Sequence, residues 1–300
     1  MMNSKANSAK SEASRFGLLL LISLYCIMPF IWLLLAAFDP NAGLFLEVPE
    51  AFSLANFLRV FREEDGFLWL MNSLIVCGGA TLLVMVLAGF GGYALSRTRA
   101  WWKRPFLYAI ILIRVIPPTA LIVPLYKVML TFNLAIAGFL RPLLPPEYFR
   151  STMRIVGFID GYLGLILLLA TMHLPLALWI MKTFFDSVSP EYEEAAIMDG
   201  ATFGQRLRRV LLPLAMPGLA ASGLFAFIAA WGDFLFPLTF ISSPELKMLP
   251  LGIYSAFLRD SQIDYGLLAA IAVVYTAPAI IAFAFARRFL VQTFGGGLKG

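Results

Sequence analysis

Five side chains within long apolar runs are placed to act on a polar solute: Asn72, Arg114, His173, Trp231 and Asp233. Arg114 could donate to hydroxyls or to an anionic group, Asp233 could accept from hydroxyls, and Trp231 could stack on an apolar face of a solute. Each also has a plainer reading. An ionisable group at membrane depth is costly unless paired or wetted, so Arg114 either faces a cavity or pairs structurally, with Asp233 as the candidate partner. Tryptophans near the end of a span serve as interfacial anchors. Asn72 can bond a neighbouring helix, and His173, two residues before Pro175, fits a kink region better than a proton carrier. Nothing here assembles into an acid–base or nucleophilic set. The single histidine and the two cysteines, Cys26 and Cys77, give neither metal-ligand spacing nor a disulfide framework. No Gly-x4-Gly-Lys-[Ser/Thr] phosphate loop occurs. The nearest look-alike, Gly89-Phe90-Gly91-Gly92, lies inside an apolar run and reads as small-residue helix packing. The chain is therefore expected to be no enzyme and to bind no metal or cofactor of its own.

A second constellation is polar. Residues 187–213 parse as helix–turn–helix. Ser189 can cap a helix with Pro190 at its first position. Glu191, Glu193 and Glu194 follow in the first turns, where the helix dipole favours anions. Asp199-Gly200 ends that helix, with Gly200 free to adopt positive φ. Thr202 and Gln205 form a capping box for the next helix, which carries Arg206, Arg208 and Arg209 into an apolar run at Pro213. Ala195 and Ala196 give the first helix a small-residue face that can seat in a partner's groove; the alternative is an amphipathic helix lying at a membrane interface.

The elements that must hold these residues follow from composition. Of 300 residues, 60% are hydrophobic and only 14% charged, against roughly 45–50% and 25% in soluble domains. Both a soluble globule and a disordered chain are excluded, and an all-α integral membrane protein is expected. Six stretches approach the length needed to cross a bilayer: Gly17–Phe38, Leu70–Leu95, Phe106–Leu130, Gly161–Met181, Val210–Phe240 and Gly266–Ala286. The first is too long for a signal-peptide core and has no small-residue cleavage site after it, so it reads as a retained span. Prolines 117, 118 and 175 break helical hydrogen bonds at depth, marking the third and fourth spans as pathway walls or as packing kinks.

Placing both termini in the cytoplasm puts fourteen basic residues on inner segments and seven on outer ones, with Arg114 and Lys127 inside a span. This split favours that orientation. The basic residues are spread over four edges, so the net charge of +5 reads as topology rather than as a nucleic-acid patch. The organisation expected is a cytoplasmic segment 1–16, a six-span domain 17–290 with a cytoplasmic loop at about 183–213, and a cytoplasmic tail 291–300. The outer segment 131–160 contains Pro142, Pro145 and Pro146, which limit helix there.

Glu194-Ala195-Ala196, three residues, Gly200, nine residues and Val210-Leu211-Leu212-Pro213 resemble the EAA loop of bacterial ABC importer permeases, with Val210 in place of the usual Ile. The surroundings resemble the carbohydrate-uptake, maltose-permease-like branch: Asn72-Ser73-Leu74, Tyr93-Ala94-Leu95-Ser96-Arg97, Ile116-Pro117-Pro118, Pro124-Leu125-Tyr126, Gly164-Leu165-Ile166 and the ending Gly297-Leu298-Lys299-Gly300. The departures are Trp231-Gly232-Asp233-Phe234 where Trp-Asn-Glu-Phe is usual, and an outer loop expanded between Asn133 and Asp160.

The resemblance implies a permease subunit in the bacterial inner membrane, forming half of the pathway of a binding-protein-dependent importer for a sugar or sugar derivative. It implies a homologous second permease, two ATPase subunits that bind ATP and Mg, and a periplasmic solute-binding protein as partners, besides membrane lipid. It makes the EAA helix the coupling helix. Glu193, Glu194, Ala195, Ala196, Met198, Asp199, Gly200 and Pro213 are then the ATPase-coupling residues. Gly297, Lys299 and Gly300 become a second contact, and Asn72, Arg114, Trp231 and Asp233 the candidate pathway residues.

Overall fold

The computed structural model describes residues 2–45, 47–62, 64–258 and 263–295, and no strand occurs among them. The helices are α1 (Met2–Ala37), α2 (Ala55–Arg62), α3 (Gly66–Arg97), α4 (Lys103–Leu112), α5 (Pro118–Leu140), α6 (Pro146–Val156) and α7 (Tyr162–Ser187). They continue with α8 (Glu191–Met198), α9 (Phe203–Arg206), α10 (Leu212–Trp231), α11 (Leu235–Phe240), α12 (Leu249–Leu258) and α13 (Tyr265–Gly295). Among the described residues, six helical segments are long and apolar enough to cross a membrane: Arg15–Ala37, Gly66–Arg97, Pro118–Leu140, Tyr162–Ser187, Phe203–Trp231 and Tyr265–Phe289.

The third span differs most from its sequence expectation. Ile116 and Pro117 are extended, and Pro118 opens α5 at a position where a missing N–H is harmless. The expected span Phe106–Leu130 therefore resolves into α4, a 3-10 turn at Ile113–Val115, and an α5 that runs on to Leu140. Arg114 consequently lies in the turn before the span-length helix. Downstream, Pro145 and Pro146 start a helix rather than prevent one: Pro145 holds the cap position of α6 and Pro146 opens it. Much of the outer segment 131–160 is thus helical. The fifth span begins at Phe203, passes through a π turn at Leu207–Leu211, and ends at Trp231. The π turn directly precedes Pro213, which cannot donate to the helical ladder.

The chain divides into two compact units, residues 1–67 with 252–276, and 68–251 with 277–300. In the first, Asn56 is buried and its Nδ2 donates to the carbonyls of Ala37 and Asp39 at 3.3 and 2.8 Å. These groups are left open where α1 ends. Arg59 pairs with Asp264 at 2.7 Å.

In the second unit α7 packs along α10, and small residues set the spacing. A Cβ on Gly218 would lie 2.6 Å from the Phe184 ring, and one on Gly223 would lie 2.7 Å from the Met85 sulfur. The backbones of α3 and α7 also approach closely, and a Cβ on Gly92 would meet Met181 Cβ at 2.7 Å and the Lys182 nitrogen at 2.8 Å. Helices in lipid gain little from apolar burial against one another, so close packing through small residues takes its place. Gly92→Val is expected to destabilise the second unit by about 1–3 kcal/mol through overpacking. Gly78→Ala, where nothing lies within 4 Å of the new methyl, should be neutral or stabilise by up to ~1 kcal/mol. Thermal unfolding of the purified protein in detergent compares the two.

Candidate functional site

The segment after α7 folds as a compact hairpin of two capped helices. The Ser189 hydroxyl accepts the Glu191 N–H at 3.3 Å, and α8 begins at Glu191, one residue later than expected. Its end is a full Schellman closure: Gly200 N–H donates to Ile197 O at 2.9 Å and Ala201 N–H to Ala196 O at 3.0 Å. Gly200 carries the required positive φ of 76°. The capping box of α9 is complete, with Gln205 N–H donating to Thr202 Oγ1 at 3.4 Å and Thr202 N–H to Gln205 Oε1 at 2.8 Å.

One face of α8 is anchored and the rest is open. Glu193 is buried and accepts from Arg97 Nε at 2.5 Å and from the Tyr93 hydroxyl at 2.9 Å. Arg97 also donates to the carbonyls of Phe185 and Val188 at 3.0 and 3.2 Å. One guanidinium at the end of α3 thus ties together α3, the end of α7 and α8. By contrast Glu194, Ala195, Met198, Asp199, Gly200 and Pro213 are exposed and Ala196 is half-buried. Met198 is 87% exposed, with Tyr192, Ile197 and Phe203 beside it in sequence at 56%, 51% and 50%. Gly297, Lys299 and Gly300 lie outside the described residues.

Arg114 and Asp233, far apart in sequence, line one cavity of about 370 Å³, together with His173 and Thr171. Of the two readings of Arg114, the ion pair with Asp233 is not formed: among the described residues no carboxylate lies within ion-pair distance of Arg114, whose guanidinium sits 5.6 Å from the Phe225 ring centre. Asp233 accepts the Phe236 N–H at 3.0 Å, holding the start of α11. Trp231 lies apart from this cavity, 3% exposed and stacked on Phe227. Asn72 is buried and fully engaged: Nδ2 donates to the carbonyls of Glu245 and Lys247 at 3.0 and 2.9 Å, and Oδ1 accepts from the Tyr162 hydroxyl at 2.6 Å.

Asn72 belongs to a polar network that sequence reading missed. Asn133 Oδ1 accepts the N–H groups of Phe158 and Ile159, and Asp160 N–H donates to Phe240 O. The Asp160 carboxylate accepts the N–H groups of Ser242 and Ser243, each at 2.9 Å, and the Ser243 hydroxyl. Arg154 pairs with Glu245 at 2.8 Å. Burial by itself would raise the Asp160 pKa, but these hydrogen bonds and Arg154 outweigh it and hold the carboxyl below its ordinary value.

Residues 80–294 match the family described as binding-protein-dependent transport system inner membrane component. The chain belongs to this family. This inner membrane component is accordingly a multi-pass membrane protein and a transporter subunit. It is 30% identical over 279 residues to the sulfoquinovosyl glycerol transport system permease protein SmoH of Agrobacterium fabrum, covering 91% of this chain and 89% of that protein. It is also 30% identical over 281 residues to the trehalose transport system permease protein SugB of Mycobacterium tuberculosis, covering 92% and 93%. Its fold is that of a chain in the crystal structure of a bacterial ABC transporter involved in the import of the acidic polysaccharide alginate, with a TM-score of 0.70, 21% identity, and 92% and 95% of the two chains covered.

For this inner membrane component, Arg97→Ala and Glu193→Ala should each lower thermal stability in detergent. The double variant should cost little more than either alone, a coupling of about 0.5–3 kcal/mol. Full additivity would show that the pair does not hold α8. Asp160→Asn tests the outer network. A depressed native pKa contributes stability that is present above the unfolded value of about 3.9 and is lost as pH falls through the native value. The wild type should therefore lose stability across that acid window, and the Asn variant should lose less there.

Proposed function

We propose that this chain is one of two permease subunits of an ATP-driven importer for a sugar or sugar derivative, and that α8 is the helix through which it engages an ATPase subunit. The observation that carries this reading is the build of the hairpin. Both helix ends are closed, Glu193 is locked to Arg97, and the exposed Tyr192, Ile197 and Met198 have no partner surface within the hairpin that would cover them. Exposed apolar residues held on a tethered, capped element fit a docking surface. A homologous second permease completes the pathway, two cytoplasmic ATPase subunits bind ATP and Mg, and a periplasmic binding protein delivers solute. The chain needs no nucleotide or metal site of its own and makes no contact with nucleic acid. The sugar class rests on relatives named for sulfoquinovosyl glycerol and trehalose transport.

Both termini lie in the cytoplasm in this reading, supported by the excess of basic residues on the segments that share the hairpin's side. The network of Asn72, Asp160 and Ser243 then stands on the periplasmic side, where it shapes the surface offered to the binding protein. Residues 1–16 and 291–300 flank the six-span domain on the cytoplasmic side. The bare apolar surface of α1, where Leu21 and Tyr25 are 65% and 80% exposed, suits lipid.

ATPase activity of the reconstituted assembly tests the coupling. Gly200→Val forces a β-branched residue into positive φ, which costs about 1–2 kcal/mol, and should abolish stimulation by loaded binding protein while the assembly still forms. Gly200→Asn, which tolerates that backbone, should retain most of the stimulation. Equal stimulation in the wild type and Gly200→Val would remove the hairpin from the coupling path.

A further inference from the structure

The cavity that joins Arg114 to His173 contains more unused hydrogen-bonding capacity than a packing void needs. His173 is 8% exposed, and neither ring nitrogen has a hydrogen-bond partner among the described residues. A buried imidazole left without partners is destabilising. Arg114 lines the same space, with no carboxylate in ion-pair range among the described residues and the face of Phe225 beside its guanidinium. Asp233 uses one carboxylate oxygen on the Phe236 N–H and lines the cavity as well. The remaining wall is largely apolar, with Ile110, Leu178 and Phe236 among its members. A volume of about 370 Å³ lies within the range of small-molecule sites.

We propose that this cavity is a binding site for the anionic group of an acidic sugar, a carboxylate or sulfonate. Arg114 supplies the charge, His173 supplies one further hydrogen bond, and Asp233 accepts from a ring hydroxyl. The proposal rests on the importer reading and adds the substrate class and the residues that select it. The chemistry follows from the side chains. A guanidinium presents several donors in a fixed fork that matches a planar or tetrahedral oxyanion. An imidazole with both nitrogens unused has one donor and one acceptor to offer in its neutral form. A carboxylate in the cavity wall favours a hydroxyl donor and repels a second anion, so the acidic group is directed to the Arg114 end. A neutral sugar would leave Arg114 without a counter-charge at this site. An anionic lipid headgroup offers the same oxyanion chemistry from another source, and the experiment separates the two.

The complete importer, with its binding protein, is reconstituted in phosphatidylcholine vesicles with and without phosphatidylglycerol. Uptake is measured for sulfoquinovosyl glycerol, glucuronosyl glycerol and neutral glucosyl glycerol. At least one acidic glycoside should be taken up in an ATP-dependent manner by the wild type. Arg114→Gln should lower kcat/KM for it at least tenfold, and Arg114→Lys should restore part of the loss. His173→Phe should lower kcat/KM for the acidic glycoside severalfold. The second permease and the ATPase subunits should copurify with all three variants in wild-type proportion, which shows that they assemble. ATP-dependent uptake of the neutral glycoside alone would overturn the acidic class. A wild-type kcat/KM for the acidic glycoside that survives in Arg114→Gln would remove Arg114 from the site. Activity that depends on phosphatidylglycerol in the wild type and not in Arg114→Gln would assign the cavity to lipid instead. No ATP-dependent uptake of any solute, with no ATPase stimulation, would defeat the importer reading itself.

Discussion

A chain in hydrocarbon must satisfy its own backbone, because each unpaired N–H or C=O there costs several kcal/mol. That constraint explains both the helices of this protein and the form of their interruptions. At residues 113–118 the break falls on two prolines, which bring no N–H to satisfy, and the flanking donors are used: Ile116 N–H bonds to Ile113 O and Ala120 N–H to Pro117 O. At 232–234 the N–H groups of Gly232 and Asp233 reach back to Ile228 and Ala230, and the Asp233 side chain takes the Phe236 N–H. At 157–160 Asn133, Met153 and Phe240 take every N–H in turn. The first two breaks bring Arg114 and Asp233 to one cavity. Polar side chains at depth are thus by-products of places where the helix could not continue.

The hairpin obeys a different limit. A helix of eight residues has too few internal bonds to offset its nucleation cost in isolation. α8 is therefore stable only through its ends and its anchor. The Schellman closure and the Ser189 contact supply the ends, and Glu193 supplies the anchor. Arg97 suits that role because its planar fork reaches Glu193 and two backbone carbonyls at once. A lysine at this position could not present the same fixed geometry. The exposed remainder of α8 is left free to meet another surface.

Local chemistry made the hairpin readable from sequence. Gly200, Thr202 and Gln205 act within a few residues of themselves, and the structure has them in the expected geometry. The six spans were readable because apolar length is also a local property. What failed to show was pairing across the chain. Arg97 and Glu193 are separated by 96 residues and Asn72 and Glu245 by 173, and no periodicity links them. Tyr93 and Arg97 stand out only as part of a resemblance, and Asn133 and Asp160 only as the bounds of an expanded loop. The boundaries of the third span were misplaced for a physical reason. Hydropathy runs smoothly across Ile116-Pro117-Pro118, whereas the hydrogen-bond ladder does not, and at Pro146 the same residue type opens a helix instead of ending one.

The two polar networks stand at opposite ends of the same pair of helices. Asn72 and Arg97 are 25 positions apart on α3, which places them about 37 Å from one another at the usual helical rise. α7 parallels this arrangement: its Tyr162 bonds to Asn72 at one end, and its Phe185 carbonyl accepts from Arg97 at the other. Between these ties Gly92 brings the two backbones within contact near Met181. Two long helices fastened to each other at both ends and pressed together near one of them cannot slide independently without breaking one of these hydrogen bonds. A displacement imposed on α8 through Glu193 must therefore move α3 and α7 as one body, and Asn72 carries it to the backbone of residues 245 and 247. That rigidity links α8 mechanically to the backbone at residues 245 and 247, at the other end of α3 and α7.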